Sequence, residues 1–208
     1  MQECSKSMSR RVRDPNFARR YFVGDGIDIG GRPDPITAHR DMFSAMGNVK
    51  IWDLEDGDAQ FMSGLAAESL DFVHSSHCLE HLVNPRQGLK AWFNLLKPNG
   101  HLIVTVPDED LYEQGRFPST YNSDHRWTFT PYKKYSWSDQ CICVTDVVIG
   151  LGELAELIKI ELLTENYQYS ANRVDQTMFP GTECAIEFIV RKRTVQELAD
   201  RGRWRRPE

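Results

Sequence analysis

Short apolar runs closed by glycine, asparagine or proline alternate along this chain with stretches whose apolar residues recur every three to four positions. Residues 21–29 read as a first strand that enters a turn over 30–35. Pro33 and Pro35 keep that turn out of helix, so a helix is expected only over 36–46, where Gly47-Asn48 stops it. Residues 49–52 read as a second strand, 58–62 as a short third and 70–74 as a fourth. Asn84-Pro85 then opens a helix with proline at its first position, where the missing N–H costs nothing. Leu89, Trp92, Phe93 and Leu96 fall at i, i+3, i+4 and i+7 and form its one apolar face. The run Lys97-Pro98-Asn99-Gly100 turns the chain into 101–106, a nearly continuous apolar stretch of the kind covered on both sheet faces.

After Pro107 the periodicity lapses for about thirty residues rich in tyrosine, tryptophan, histidine and acid, a length that in a compact domain points to function. Val147, Val148, Leu151, Leu154, Ala155 and Ile158 restore helical spacing across Gly150 and Gly152. Residues 159–163 and 184–190 read as two closing strands, and Thr194 and Glu197 have capping-box spacing for a terminal helix. Strands alternating with helices and then a closing strand pair specify an α/β, Rossmann-like three-layer sandwich with a mostly parallel sheet. Residues 1–20, polar and rich in arginine, are expected to form a loosely ordered arm or a short leading helix.

Composition narrows this picture. The 208 residues are 40% hydrophobic and 26% charged, the range of one globular domain spanning 1–208. Without a long apolar run or a signal-like start, neither a membrane nor secretion is expected, and the cytoplasm is the expected compartment. Five scattered cysteines lack paired C-x-x-C spacing, so reduced thiols and no metal are expected. The net charge of −5 argues against nucleic acid as a partner, and the terminal arginines read as solvated or as meeting a second subunit of a homodimer.

The chemistry gathers around Gly24-Asp25-Gly26-Ile27-Asp28-Ile29-Gly30-Gly31, a strand running into glycines that let a ligand approach the backbone. Asp53 follows Gly30 by 23 residues and ends the second strand, where a ribose-binding carboxylate belongs in a doubly wound fold. The strict G-x-G-x-x-G fingerprint is absent because Ile29 stands at its third glycine, which disfavours nicotinamide and flavin dinucleotides.

This glycine turn, Asp53, Gly57-Asp58-Ala59, residues 70–82 (LDFVHSSHCLEHL) and 95–107 (LLKPNGHLIVTVP) together resemble the class I S-adenosylmethionine-dependent methyltransferases, type 11 subgroup. The resemblance covers about 23–107. It implies a seven-stranded sheet with an antiparallel final strand and S-adenosylmethionine as cofactor. It further implies that Asp28, Gly30 and Gly31 order the turn near the methionyl ammonium, while Asp53, beside Leu54, holds the ribose. Asp58 and Ala59 would serve the adenine, and Ser75, Ser76 and His77 the methionine end. The chain departs from the family where Arg32 and Asp34 replace two glycines. A non-catalytic cofactor-binding module is therefore the alternative to an enzyme.

His74, His77 and His81 lack the H-E-x-x-H arrangement of a zinc site, and Glu80-His81 reads as the start of the following helix. Residues 108–140 are expected to form a lid over a small-molecule or sugar-like acceptor, lined by Tyr112, Tyr121, His125, Trp127 and Phe129. A hydroxyl acceptor would need a base, and His125, with Asp124 beside it, is the candidate.

Overall fold

A computed structural model describes residues 2–200. The main sheet holds β1 (Gly24–Ile29), β2 (Met46–Trp52), β3 (Leu70–Ser76), β4 (Leu96–Pro107), β7 (Ala155–Leu163) and β8 (Ala185–Lys192), in the order β2-β1-β3-β4-β8-β7. β1 to β4 run parallel, and β8 lies antiparallel between β4 and β7. A separate pair, β5 (Thr128–Thr130) and β6 (Cys141–Cys143), belongs to the segment after β4. The helices are α1 (Glu3–Arg11), α2 (Pro85–Asn94), α3 (Val144–Ile149) and α4 (Val195–Ala199). Among the described residues, no helix is long and apolar enough to cross a membrane.

Strand position explains strand composition. The central strands β1, β3 and β4 bury consecutive residues because both faces are covered, whereas the edge strand β2 alternates between inward and outward positions. One face packs Ile27, Val73, Leu102 and Val104 against Leu89, Trp92 and Phe93 of α2. The other packs Phe72, Ile103 and Ile189 against Cys4 and Met8 of α1 and against Phe17, Phe22 and Phe43. α2 starts as expected, with the Asn84 side chain accepting from Gln87 N–H and Pro85 in the first turn. α4 has the expected capping box, Thr194 Oγ1 accepting from Glu197 N–H while Glu197 accepts from Thr194 N–H.

Several expectations change. The main sheet has six strands among the described residues, because 58–62 is a turn: Asp58 accepts from Gln60 N–H at 2.8 Å, and Ala59 C=O receives the Trp92 indole. Residues 36–46 contain a short 3-10 helix (Ile36–Met42) before β2 begins at Met46. The helical spacing over 147–158 splits, since α3 ends at Ile149, Gly152 takes φ +94°, and the chain from Ala155 pairs with β8. Pairing between strands outweighs local periodicity there. Of the two forms expected for residues 1–20, the short leading helix is the one found, as α1, and with a π-helical turn (Phe17–Tyr21) it completes one face of the core.

Candidate active site

The chain passes from β1 outward to β2 and then crosses back to β3 on the other side of β1. The carboxyl ends of β1 and β3 therefore flank a switch point, the place where open α/β sheets bind ligands. The turn after β1 needs its glycines. Gly30 has φ +70°, and a Cβ there would stand 2.7 Å from Cys78 Cβ; a Cβ on Gly31 would stand 2.6 Å from Asp28 Oδ2.

Asp28 is buried, and a charge there must be paired or hydrogen-bonded. Its Oδ2 accepts from Ile36 N–H at 2.7 Å, and its Oδ1 lies 2.6 Å from His74 Nδ1. Arg11 Nη1 is 3.1 Å from His74 Nε2. A guanidinium only donates, so Nε2 is the acceptor and Nδ1 carries the proton given to Asp28. Arg11, wholly buried, also donates to Glu187 at 2.9 Å and to Thr105 at 3.3 Å. A polar chain thus runs from β8 through α1 to the turn that closes the crevice.

The crevice has two lobes that share Gly30, Arg32, His77 and His81. The wider, of about 970 Å³, is lined by Trp52, Asp53, Leu54, Asp58 and Ala59. Asp53 Oδ1 accepts from Leu54 N–H at 2.9 Å and Oδ2 from Arg32 N–H at 3.0 Å. Each oxygen keeps a further lone pair for a hydroxyl. The Arg32 guanidinium turns to exposed Glu55, at 2.7 Å.

The narrower lobe, of about 230 Å³, is lined by Asp28, Gly31, Ser76, Glu80, Tyr112 and His125. His125 Nδ1 lies 2.7 Å from Glu113 Oε1, and its Nε2 stands 3.9 Å from Glu80 Oε1. Glu80 is fully buried and also faces His77 Nδ1 at 3.5 Å and His81 Nε2 at 3.8 Å. Burial pushes the Glu80 carboxyl up, but His77 foremost, with His81 and His125, holds it below its ordinary value. For His77, burial works downward and the Glu80 carboxylate more than offsets it, so its pKa is raised.

A family model described as a methyltransferase domain matches residues 13–143. The chain belongs to the methyltransferase-domain family. The class expected from sequence, the S-adenosylmethionine-dependent methyltransferases, is borne out together with its cofactor. Among solved structures, an S-adenosylmethionine-dependent methyltransferase from Mesorhizobium loti shares the fold, with a TM-score of 0.55, 12% identity, and coverage of 90% of this chain and 98% of that one. Another from Archaeoglobus fulgidus has a TM-score of 0.54 and 17% identity, covering 92% of this chain and 95% of that one. No curated protein matches in sequence.

The residues of this methyltransferase fit the cofactor: Gly30 and Gly31 line the crevice at the switch point in a turn where Cys78 and Asp28 leave no room for a side chain, and Asp53 offers a half-buried, acceptor-only edge to the wider lobe. Of the residues expected in the site, Asp28, Gly30, Gly31, Asp53, Leu54, Asp58, Ala59, Ser76, His77 and His125 line one lobe or both. Ser75 does not; it is buried, and its hydroxyl donates to Ile29 C=O at 3.0 Å, which ties β3 to β1. Of the expected lid residues, Tyr112 and His125 line the crevice. Phe129 and Trp127 pack on the core, and the Tyr121 hydroxyl donates to Gln114.

The partner of His125 is Glu113 rather than Asp124, whose carbonyl instead faces His81 Nδ1 at 3.1 Å. Glu80-His81 lies in its own 3-10 turn (Leu79–His81), ahead of α2, and points into the crevice. The Glu80-His81 pair right after a strand was the one visible signal for this part of the site. Nothing in the sequence marks Glu113.

Proposed function

We propose that this methyltransferase moves the sulfonium methyl of S-adenosylmethionine to a small-molecule or sugar-like acceptor seated in the narrower lobe beneath the 108–140 segment. One observation carries this reading: a wide lobe edged by Asp53, Asp58 and Ala59 opens, past Gly30 and His77, into a narrow lobe that ends at His125. The cofactor supplies a methyl on a positively charged sulfur, so the protein's task is largely orientation of the acceptor's lone pair. Asp53 would take the ribose hydroxyls, Asp58 the adenine amine, and the Gly30-Gly31 backbone with Ser76 and His77 the methionine end. His125, fixed by Glu113, is the residue on which activation of the acceptor rests. The non-catalytic alternative loses weight because Arg32, which replaces a family glycine, directs its charge to Glu55.

Thermal unfolding tests the reading. S-adenosylmethionine and S-adenosylhomocysteine should each raise Tm and NAD should not; equal shifts by all three would overturn it. Methyl turnover on a panel of small hydroxyl and amine compounds separates an enzyme from a binding module. Asp53→Ala should weaken S-adenosylhomocysteine binding by about 1.5 to 3 kcal/mol, the range for hydrogen bonds to a charged group. Isothermal calorimetry measures this, and unchanged affinity would remove Asp53 from the ribose site.

A further inference from the structure

The narrow lobe contains a set of groups that hydrogen bonding alone leaves incomplete. Both oxygens of Glu80 are buried, and neither has a hydrogen-bond partner among the described residues. A buried carboxylate without partners is costly, and ion-paired or metal-bound carboxylates are the usual resolution. Of the three imidazoles that face it, His77 stands nearest, with Nδ1 at 3.5 Å, and the other two present lone pairs. The Asp124 carbonyl can only accept, so His81 Nδ1 carries the proton in their 3.1 Å contact. The Glu113 carboxylate likewise takes the proton on His125 Nδ1 at 2.7 Å. With Nδ1 engaged in this way, Nε2 is the ring atom that each imidazole turns towards Glu80 and can offer to a metal ion, at 3.8 Å for His81 and 3.9 Å for His125. Ligating atoms of Glu80, His81 and His125 all lie within 4.8 Å of one another.

We propose that Glu80, His81 and His125 hold a divalent first-row transition cation at the floor of the acceptor lobe. Two imidazoles and one carboxylate are donors suited to such ions, and they leave coordination positions open towards the crevice. Bonds of about 2.1 Å in tetrahedral geometry put donors about 3.4 Å apart, so closure on the ion needs the two Glu80 contacts to shorten by roughly half an ångström and the widest pair, within 4.8 Å, by up to about 1.4 Å. The outer contacts also match the pattern that orients metal-bound histidines, one ring N–H given to a carboxylate and the other to a backbone carbonyl. The inference deepens the acceptor site proposed above and gives His125 its role in it. An acceptor hydroxyl bound to the cation loses its proton to solvent more readily. Its oxygen then forms the new bond to the methyl carbon as the carbon–sulfur bond breaks, and the sulfur leaves as a neutral thioether.

Tag-free, chelator-treated full-length protein titrated with cobalt(II) chloride should develop visible d–d absorption that saturates at one ion per chain, and zinc chloride should displace it. Glu80→Gln should weaken cobalt binding at least a hundredfold, and Glu113→Gln, through the outer contact alone, by about ten- to a hundredfold. His81→Asn, at a partly exposed position, provides a second ligand variant should Glu80→Gln fail to fold. Calorimetry with S-adenosylhomocysteine on the metal-free protein keeps the two readings apart. Cofactor binding without cobalt binding overturns the cation site alone, whereas cobalt binding without cofactor binding overturns the cofactor reading alone. Cobalt affinity that is unchanged by Glu80→Gln and His81→Asn would also sink the site. So would a Glu80→Gln protein that loses stability while the parent binds no ion, since Glu80 would then only be a carboxylate paired with imidazolium groups.

Discussion

Replacing Arg11 with methionine is expected to lower the unfolding free energy by about 3 to 5 kcal/mol, the cost of breaking a buried ion pair by removing one partner. Arg11 is wholly buried, and its guanidinium bonds Glu187, His74 and Thr105 at once. Methionine fills much of the volume but leaves His74 Nε2 without a donor and Glu187 with only Arg10, at 2.6 Å, and Lys159, at 3.4 Å. Urea unfolding measures the loss, and a change below about 1 kcal/mol would show that Arg10 and Lys159 suffice. The same network sets an acid limit. Burial pushes the Glu187 carboxyl up, but Arg11 and Arg10, with Lys159, hold it at about 2 against an ordinary value of 4.5.

A carboxylate with a lowered folded-state pKa contributes stability that is fully present above its unfolded value and is lost as pH falls through the folded value. The window is therefore pH 4.5 down to about 2, and the loss across it is about 3 kcal/mol. Glu187→Gln should start less stable at neutral pH and show a flatter acid limb. An unchanged slope between pH 4.5 and 2 would mean that other carboxylates govern acid unfolding.

How far such features can be read from the chain depends on how local they are. α2 was legible because its start signal, its proline and its apolar stripe lie within about a dozen residues. β1 and the glycine turn were legible for the same reason, and Asp53 followed from a spacing that the fold itself imposes. The Arg11–Glu187 bond spans 176 residues and the His125–Glu113 bond crosses an aperiodic loop, so neither has a local pattern to announce it. Residues 159–163 of β7 were legible as a strand, but its first residues, 155–158, were concealed because a helical spacing of apolar residues coincides with a strand whose register only β8 decides. The histidines over 74–81 illustrate the remaining gap. Their residue types were visible, but His74 serves the core while His77 and His81 face the crevice, a division set by β3 ending at Ser76 and by the left-handed turn at His77, φ +54°.

Gly31→Ala is expected to weaken S-adenosylhomocysteine binding tenfold or more and to lower stability by about 2 to 3 kcal/mol, the scale of forcing a methyl into a packed site. The added Cβ would stand 2.6 Å from Asp28 Oδ2, closer than side-chain atoms pack. Relief by a rotation of Asp28 is blocked, because Oδ2 is held by Ile36 N–H and Oδ1 by His74, which Arg11 in turn holds. The strain must therefore pass either into the turn that cradles the cofactor or into the buried hydrogen bonds. A double-mutant cycle separates these routes from a less specific clash. With Asp28→Ala already in place, adding Gly31→Ala should cost less than about 0.5 kcal/mol further, since the atom it meets is gone. If the penalty is the same in both backgrounds, the methyl is instead opposed by Ile51 Cγ2, at 3.3 Å, and Asp28 does not set the shape of the cradle.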